Sequence, residues 1–366
     1  MSPDSHGRAL DGIVVLDLTR LLPGAVATHR LAAQSAEVIK IEEPGAGDYA
    51  RRMPPLIDGV GAVFLRTNAG KKSVALNLKD PRGREALLRL AAIADVLVEG
   101  FRPGVMDRLG LGCETLRARN PHLVYASLTG YGSDGPRSAW AGHDVNYLAT
   151  AGVLDLIGSA GGPPVIPGVQ IADIAGGSLQ LVIGILLALL DRRRTGQGCR
   201  VDVSMTDGLA DMLEVPMSRL QATGLLPERG KDVLSGRYAC YNVYRARDGR
   251  WLAVGALEAR FWENLCRALG CEDLIADQFA EGRRRVELIE RVAAIFAGRD
   301  ALEWSALLED RDCCVTPVQT IGEYSPAPSH RAAAPILGEH TREVLRRAGL
   351  TEPEIDDLAP EALRLH

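Results

Sequence analysis

The first part of the chain alternates short apolar runs with longer amphipathic stretches. Runs rich in β-branched residues predict strands at residues 13–18, 37–41, 73–78, 96–98, 122–128 and 200–205. Helical patterns lie between them, at residues 24–33 and from the N-cap Asp80, with Pro81 in the first turn, to about residue 94. Short apolar strands that alternate with helices of about 10 to 15 residues are typical of parallel βαβ units. We therefore predict a doubly wound α/β domain.

The later part of the chain has a different pattern. A long helix is predicted to begin near Asp173 and to end at the arginines 192–194 before Gly196, because basic last turns and a following glycine are typical of helix C-termini. Its most apolar part, residues 179–190, is shorter than the about 20 residues that span a bilayer, so we interpret it as a buried helix. After a linker-like stretch at 225–237, a smaller α+β unit is predicted from a hairpin at 238–244 and 251–254 and from helical patterns at 259–269, 282–297 and 301–309, with further helices at 341–348 and 353–358.

Composition restricts the classes of function. The 366 residues include 42 Lys and Arg against 47 Asp and Glu, without basic blocks, and the net charge is −5. Binding to a polyanion needs several clustered cations, so we expect no nucleic-acid partner. The seven cysteines have neither CxxC spacing nor metal-ligand spacing with histidine, and the start of the chain lacks a signal-peptide pattern. We therefore expect free thiols, a cytoplasmic location, no metal site and no membrane partner.

Glycine is frequent, with 39 residues, and the segment 130–135 matches the GxGxxG pattern after a predicted strand. A dinucleotide-binding fingerprint needs a helix directly behind it, whereas Pro136 and a loop-like sequence follow here. We interpret the segment as a turn and keep dinucleotide binding as an alternative. The segment 70–73, Gly-Lys-Lys-Ser, lacks the other residues of a P-loop, although its lysines could still hold a phosphate.

His143 lies in a glycine-flanked loop, residues 141–147, between two predicted elements. Loops on a rigid α/β scaffold often carry functional residues, which makes His143 a candidate for a site. The alternative is a hydrogen bond to its neighbour Asp144 that only stabilises the loop.

Two acidic residues stand where predicted helices begin. Asp173 opens the long apolar helix, and N-capping accounts for it as well as catalysis does. Gly176 and Gly177 cost stability in a first helical turn and would let a ligand approach the backbone. Glu258 opens a later helix, where an acidic residue is common because of the helix dipole.

Taken together, these segments resemble a known family. The segments 142–147, 172–177 and 254–258 occur in the order and at about the spacing of α-methylacyl-CoA racemases, a branch of the family III CoA-transferase (CaiB/BaiF) superfamily. Similar segments at 10–16, 95–104, 117–121, 194–198, 314–318 and 338–341 extend the resemblance over nearly the whole chain. It implies a Rossmann-like large CoA-binding domain at 1–224 that is completed by 325–366, a small α+β domain at 225–324, and an interlocked homodimer.

The resemblance also implies an enzyme that acts on acyl-CoA. In the racemase branch the positions of His143 and Asp173 are the two acid/base groups, and the position of Glu258 supports the histidine. In the transferase branch Asp173 is instead a nucleophile that carries CoA as an aspartyl thioester. We favour inversion of a 2-methyl-branched acyl-CoA by 1,1-proton transfer, with CoA transfer as the alternative. A third alternative is a dinucleotide-dependent protein, or a protein that only binds CoA without turnover.

The residue types suit proton transfer beside a thioester. Histidine titrates near neutrality, and a helix N-terminus is expected to keep Asp173 ionised. The backbone after Asp173 would hold the enolate oxygen. This chemistry needs no metal and no redox cofactor.

Contacts to the CoA moiety are implied by the resemblance at thirteen positions, namely Leu76, Asn77, Leu78, Lys79, Gly100, Phe101, Arg102, Arg108, Gly142, Asp144, Val145, Asn146 and Tyr147. Arg102 and Arg108 would meet phosphates, which suits the donor geometry of a guanidinium. Racemases of this branch usually have an arginine where this chain has Glu43, and the segment 53–64 is more similar to the transferases.

Overall fold

The computed structural model describes residues 9–324 and 333–358, which form two compact units. The first unit comprises residues 9–153, 167–213 and 333–358, and the second comprises 154–166 and 214–324. The strands are β1 (Val14–Leu18), β2 (Glu37–Glu42), β3 (Leu56–Ile57), β4 (Val60–Gly61), β5 (Lys72–Ala75), β6 (Val96–Glu99), β7 (Val124–Thr129), β8 (Arg200–Ser204), β9 (Tyr241–Arg245), β10 (Trp251–Gly255) and β11 (Val315–Pro317).

The helices are α1 (Leu21–Ala32), α2 (Ala62–Thr67), α3 (Pro81–Ala92), α4 (Val105–Arg108), α5 (Cys113–Arg119), α6 (Asp144–Thr150), α7 (Val153–Leu156), α8 (Ala172–Thr195), α9 (Glu214–Thr223), α10 (Ala259–Leu269), α11 (Gly282–Phe296), α12 (Ala301–Leu308), α13 (Thr341–Arg347) and α14 (Glu352–Leu358). The first eight residues of α8 turn with the wider π-helical geometry. Such turns are rare and often occur at functional sites.

Six parallel strands form the sheet of the first unit, in the order β5-β2-β1-β6-β7-β8. Leu16, Ile39 and Leu97 pack in the same core cluster as residues of α3, α5 and α13, while α1 and α8 also pack against the strands. The chain leaves β1 in one direction along the sheet and later returns to add β6 on the other side. In such sheets ligands bind beyond the carboxyl ends of the strands at this switch point, here between β1 and β6.

Two buried ion pairs order the carboxyl end of β1. The Lys71 ammonium lies 3.0 Å from the Asp17 carboxylate, and that of Lys40 lies 2.9 Å from the Asp48 carboxylate. Lys40 also donates to the carbonyl of Thr19 at 2.9 Å. At Gly24 an added Cβ would lie 2.3 Å from the Cβ of Thr19, so only glycine lets α1 begin this close to the loop. The buried side chains of Lys40 and Lys71 thereby hold the carboxyl end of β1 and the loop that leads to α1.

The second unit contains an antiparallel sheet in the order β11-β10-β9. Alternate residues such as Leu252 and Tyr244 point into a core that includes Trp262 and Phe296. The residues between them on the strands point to the opposite face, which is partly open to solvent.

The predicted α/β fold class is confirmed. Five of the six predicted strands of the large sheet lie within about two residues of the observed ones, and β5 ends earlier than predicted, at Ala75. Asp80 caps α3 as predicted, and its Oδ1 accepts a hydrogen bond from the backbone N–H of Arg82 at 2.8 Å. The predicted domain boundary at 225 differs from the observed division, because α9 and residues 154–166 belong to the second unit. No residue of α9 is buried, and its amphipathic pattern is weak. The pattern of α9 therefore did not indicate that the second unit begins at this helix. The predicted segments beyond residue 324 lie partly outside the described residues.

The long apolar helix is less buried than the sequence suggests. By length and composition alone, α8 could cross a membrane, because its most apolar 18 residues have a mean hydropathy of 2.0. Of these residues, 39% are buried inside the protein. Leu187 and Leu190 are 61% and 63% exposed, whereas Leu181 and Ile185 are fully buried. The prediction of a buried helix is therefore correct for one face of α8 and wrong for the other.

Candidate active site

His143 and Asp173 stand at the starts of two helices of the first unit. His143 is the N-cap residue of α6, and the Asn146 Oδ1 accepts a hydrogen bond from its backbone N–H at 3.1 Å. Asp173 lies in the first turn of α8, and its N–H donates to the Asp144 Oδ1 at 2.9 Å. The residue next to His143 is thus bonded to Asp173 itself, which brings His143 and Asp173 into one site, with Val145 and Asn146 in the adjacent turn.

Asp173 is half-buried and has an unusual environment for a carboxylate. Burial raises the pKa of Asp173 to about 6, the nearby Asp144 carboxylate also raises it, and the charge of His143 lowers it in part. Within residues 9–324 and 333–358 no group donates a hydrogen bond to the Asp173 carboxylate. A carboxyl group of this kind can hold or release a proton close to neutral pH.

The two alternatives weighed for these residues do not fit the geometry. The side chain of His143 is exposed, and among the described residues no hydrogen bond joins it to Asp144. Asp173 is not an N-cap, because Ile171 precedes the helix and the Asp173 carboxylate accepts no backbone N–H. The pKa of Asp173 is raised and not lowered, because burial and the Asp144 charge together outweigh the charge of His143.

The backbone N–H groups of Asp173 and Ile174 are already engaged. The N–H of Asp173 donates to Asp144, and the N–H of Ile174 donates to the carbonyl of Gln170 at 3.2 Å. An added Cβ at Gly176 would lie 2.3 Å from the carbonyl oxygen of Met205. Glycine is therefore required at position 176 because α8 packs closely on the segment after β8. The predicted approach of a ligand to this backbone is not needed to explain it.

Tyr147 explains the glycines of the preceding loop. Its hydroxyl donates to the Gly142 carbonyl at 2.6 Å, and an added Cβ at Gly130 or Gly142 would lie 2.4 or 2.7 Å from its ring. Burial raises the pKa of Tyr147 to about 12, so its hydroxyl remains protonated. The GxGxxG segment is a turn with no helix behind it until α6, and the space at its first glycine is filled by this ring.

The predicted CoA contacts Leu76 to Lys79 and Phe101 line one cavity of about 280 Å³ in the first unit. The cavity lies beyond the carboxyl ends of β1, β2 and β6, where the topology predicts ligand binding. Gly100 directly follows β6 and precedes Phe101. The structure therefore brings five of the thirteen predicted CoA contacts together in this cavity, although they are distant in sequence.

Arg20 and Tyr49 also line this cavity and were not identified from the sequence. The Arg20 guanidinium lies 5.2 Å from the ring centre of Tyr49 and 5.5 Å from that of Phe101, and it donates to the Tyr49 hydroxyl at 3.0 Å. Arg20 also lies 3.9 Å from Glu43, the position where racemases of this branch usually have an arginine. The signal that could have found Arg20 is its place two residues after β1, at the switch point of the sheet.

The predicted phosphate contacts Arg102 and Arg108 do not line the cavity at β1 and β6. Arg102 lines a second, polar cavity of about 210 Å³ together with Glu99 and Tyr125, whereas Arg108 lies on α4. Neither arginine forms an ion pair with a described residue, so both guanidinium groups are available to an anion. Burial raises the pKa of Glu99 to about 7, although the Phe101 N–H donates to it at 2.7 Å.

Glu258 belongs to the second unit. It is the exposed N-cap residue of α10 and follows β10 by three residues. Burial and the Glu258 charge raise the pKa of the Cys314 thiol, so these two side chains lie near each other. Among the described residues there is no group of three or more His, Cys, Asp or Glu side chains that could hold a metal ion.

The parallel sheet with a crossover at β1, a cavity at its switch point and the neighbouring residues His143 and Asp173 define an α/β protein with a candidate ligand site at the carboxyl ends of its strands. The family model "CoA-transferase family III" matches residues 10–347, and the chain belongs to this family. The chain is 35% identical to the human α-methylacyl-CoA racemase, with 96% of each protein covered. It is 34% identical to the mouse succinyl-CoA:glutarate CoA-transferase, with 93% of this chain and 86% of that protein covered.

Solved structures agree with this assignment. A CaiB/BaiF family protein from Brucella suis superposes with a TM-score of 0.81 at 28% sequence identity, over 93% of this chain and all of that one. Relatives named as racemases and relatives named as CoA-transferases match this chain at similar identity. Family membership makes the protein an enzyme of this family and is compatible with both reactions.

Proposed function

We propose that the protein is an acyl-CoA racemase that inverts the α-carbon of a 2-methyl-branched acyl-CoA. The observation that carries this proposal is the pairing of His143 with an Asp173 whose pKa is raised to about 6. Racemisation needs two groups that both accept and donate a proton near neutral pH. A carboxyl group without hydrogen-bond donors, next to a histidine, meets this requirement better than an ordinary surface aspartate.

The reaction proceeds in two proton transfers. One of the pair removes the α-proton, and the electron pair of the broken C–H bond moves into an enolate at the thioester oxygen. The other, in its protonated form, then delivers a proton to the opposite face of the carbon. His143 serves one face and Asp173 the other, so the pair ends each turnover with its protonation exchanged. CoA is held by the cavity at β1 and β6, acyl-CoA is the only substrate, and Glu258 is kept as a further candidate catalytic residue.

Deuterium exchange tests the proposal. The enzyme is incubated with one enantiomer of a 2-methylacyl-CoA in D₂O, with and without an acceptor acid. We expect deuterium at C2 and formation of the other enantiomer without acceptor, and His143→Ala abolishes both. Exchange that survives in His143→Ala, or its absence in the native enzyme, contradicts the proposal.

A CoA transferase acting through Asp173 is the second candidate. It is supported by the match to the mouse succinyl-CoA:glutarate CoA-transferase and by the Asp173 carboxylate, which is free of donors and thus available to attack a thioester. In this case CoA passes to an acceptor acid, hydroxylamine cleaves a covalent adduct on Asp173, and His143→Ala retains much of the activity. The same incubations separate the two candidates.

We also propose a homodimer in the cytoplasm, active without metal or redox cofactor. The dimer would form through the apolar face of α8, where Ile183, Leu187 and Leu190 are exposed. Monomeric proteins rarely expose such apolar patches, which supports this choice. Light scattering should give twice the chain mass of 39.3 kDa, and Leu187→Asp with Leu190→Asp should shift it toward the single mass.

Dialysis against a chelator should leave activity unchanged. Cell fractionation tests the location, which the seven free cysteines favour.

A further inference from the structure

Two cysteines meet at the end of α10, in the core of the second unit. Cys266 lies in the last turn of this helix, and Cys271 lies directly beyond the Gly270 that ends it. Both side chains belong to the core cluster around Trp262 and are 0% and 1% exposed. Both thiols are free, and the proposed reaction uses neither of them.

The turn after α10 brings the two cysteines together. Gly270 has a φ of +69°, which lets the chain reverse, and the N–H of Cys271 donates to the carbonyl of Cys266 at 2.9 Å. In helix endings of this type the side chains at these two positions frequently contact each other. The bond lengths on either side of the hydrogen bond keep the two Cα atoms within about 7 Å, the limit for bridging two cysteines without moving the backbone.

The surroundings distinguish the two thiols. They share a hydrogen bond, which lowers the pKa of Cys271 and raises the pKa of Cys266. Burial raises the pKa of both thiols, whereas the charge of Arg291 lowers the pKa of Cys271 further. Asp273 and Glu272 raise the pKa of Cys271 in part. Cys271 is therefore the thiol that ionises more readily, and the thiolate is the form of cysteine that attacks an electrophile.

The segment that follows Cys271 is already packed on α10. The Trp262 indole donates to the carbonyl of Leu274 at 3.2 Å, and the Leu274 N–H donates to the carbonyl of Cys271 at 3.0 Å. Trp262 precedes Cys266 by four residues, so both side chains lie on the same face of the helix. A bond between the two sulfur atoms would thus join segments that are in place beforehand.

We propose that Cys266 and Cys271 form a reversible disulfide when the protein meets hydrogen peroxide. The Cys271 thiolate attacks one oxygen of the peroxide, the O–O bond breaks, and the departing hydroxide takes up the thiol proton, which leaves water and a sulfenic acid. The Cys266 sulfur then attacks the sulfenic sulfur, the S–O bond breaks, and the OH group leaves with the Cys266 proton as a second water. Two thiols thus lose two electrons, and the peroxide is reduced to water.

The size of the oxidant and the position of the pair make this step accessible. The pair lies at the end of a helix, where local opening needs less free energy than unfolding of the core, and hydrogen peroxide is small enough to enter such an opening. Dithiothreitol would restore both thiols by exchange. The inference is independent of the reaction proposed above.

Peptide mapping tests the disulfide directly. Trypsin cleaves after Arg267, between the two cysteines. Cys266 and Cys271 therefore fall in separate peptides, 261–267 and 268–283, each with a single cysteine. The full-length protein is treated with hydrogen peroxide, its remaining thiols are blocked with iodoacetamide in urea, and it is digested without reductant. We expect the two peptides to be linked and to separate in dithiothreitol. Unlinked peptides, sulfinic acids on the two cysteines, or linkage of either to another cysteine overturns the proposal.

Single replacements test the order of the two steps. Cys266→Ser cannot form the disulfide but keeps an O–H that can donate to the Cys271 thiolate. After peroxide treatment each variant is unfolded in urea with dimedone, which forms an S–C bond with a sulfenic acid and releases water. We expect about tenfold more dimedone on Cys271 in Cys266→Ser than on Cys266 in Cys271→Ser. Equal or reversed labelling overturns the proposed order of attack.

A charge variant and a stability measurement complete the test. Arg291→Gln should slow formation of the linked peptides roughly threefold, because it removes the positive charge beside Cys271. Arg283→Gln, at an exposed position of the same helix, is the control and should not slow it. The disulfide restricts the unfolded chain, so oxidation should raise the urea midpoint of the native protein and not that of Cys266→Ser. Equal rates in the two arginine variants, or an unchanged midpoint in the linked protein, contradict the inference.

Discussion

The Asp144 carboxylate accepts the backbone N–H of Asp173 at 2.9 Å, and it thereby joins the start of α6 to the start of α8. One side chain thus both positions Asp173 and raises its pKa by its like charge. His143 is the residue before Asp144, so the bond also sets the distance between the two groups that the proposed reaction uses.

Asp144→Asn should separate these two effects. The amide retains an acceptor oxygen for the Asp173 N–H but removes the like charge, so the pKa of Asp173 falls. The acid limb of the pH profile of deuterium exchange should then move down by roughly half a pH unit. Asp144→Ala, which also loses the hydrogen bond, should lower kcat as well. An acid limb that is unmoved in Asp144→Asn would show that Asp173 does not govern it.

Arg20→Ala should weaken binding of CoA itself. The guanidinium lies against Tyr49 and Phe101 in the cavity at the switch point, where it is placed to meet an adenine ring or a phosphate. We expect a loss of about tenfold in affinity, which corresponds to roughly 1.4 kcal/mol. Titration calorimetry with free CoA measures it, and Arg30→Ala, at an exposed position on α1, serves as the control. Equal affinities of the two variants would contradict the assignment.

Lys71→Met should strongly destabilise the first unit. Lys71 is fully buried beside Asp17, and its removal leaves the Asp17 carboxylate in the interior without that partner. Breaking a buried pair in this way costs about 3–5 kcal/mol of unfolding free energy. Lys72→Met is the matched control, because Lys72 is partly exposed and its ion pairs contribute about 1 kcal/mol or less. Urea denaturation compares the two, and similar midpoints would refute the role of the buried pair.

Glu99→Gln should change how stability depends on pH. Burial raises the pKa of Glu99 from 4.5 to about 7, the Phe101 N–H and the Tyr125 hydroxyl lower it, Asp202 raises it and Arg200 lowers it. The folded state therefore holds the proton more tightly than the unfolded state does. Ionisation of Glu99 costs stability progressively as the pH rises from below 4.5 through 7.

The uncharged glutamine avoids this loss. At pH 8 the variant should be more stable than the native protein by up to about 3 kcal/mol, and near pH 4 the difference should vanish. Urea denaturation at both pH values gives the difference in unfolding free energy between the variant and the native protein, and the two differences are compared. Glu114→Gln, at an exposed position, is the control. A difference that is the same at both pH values would mean that Glu99 titrates normally.

Local patterns predicted much of this fold. The β-branched runs placed the strands of the large sheet, and Asp80 with Pro81 placed the start of α3, because side-chain alternation and capping act within a few residues. The parallel direction of these strands followed from their alternation with helices, whereas their order in the sheet came from the structure. The sequence did not reveal which face of α8 stays exposed, because that face depends on the neighbours that the helix meets in the fold. Apolar residues alone do not identify those neighbours.

The sequence by itself determined the strands, the family resemblance and the candidates His143, Asp173 and Glu258, because these depend on residue types and their spacing. Tertiary structure decided what those candidates can do. It raised the pKa of Asp173 through burial and brought Arg20 to a cavity with residues more than fifty positions away. Desolvation, charge proximity and enclosed volume arise only when distant segments pack together, and the order of residues along a chain does not encode them locally.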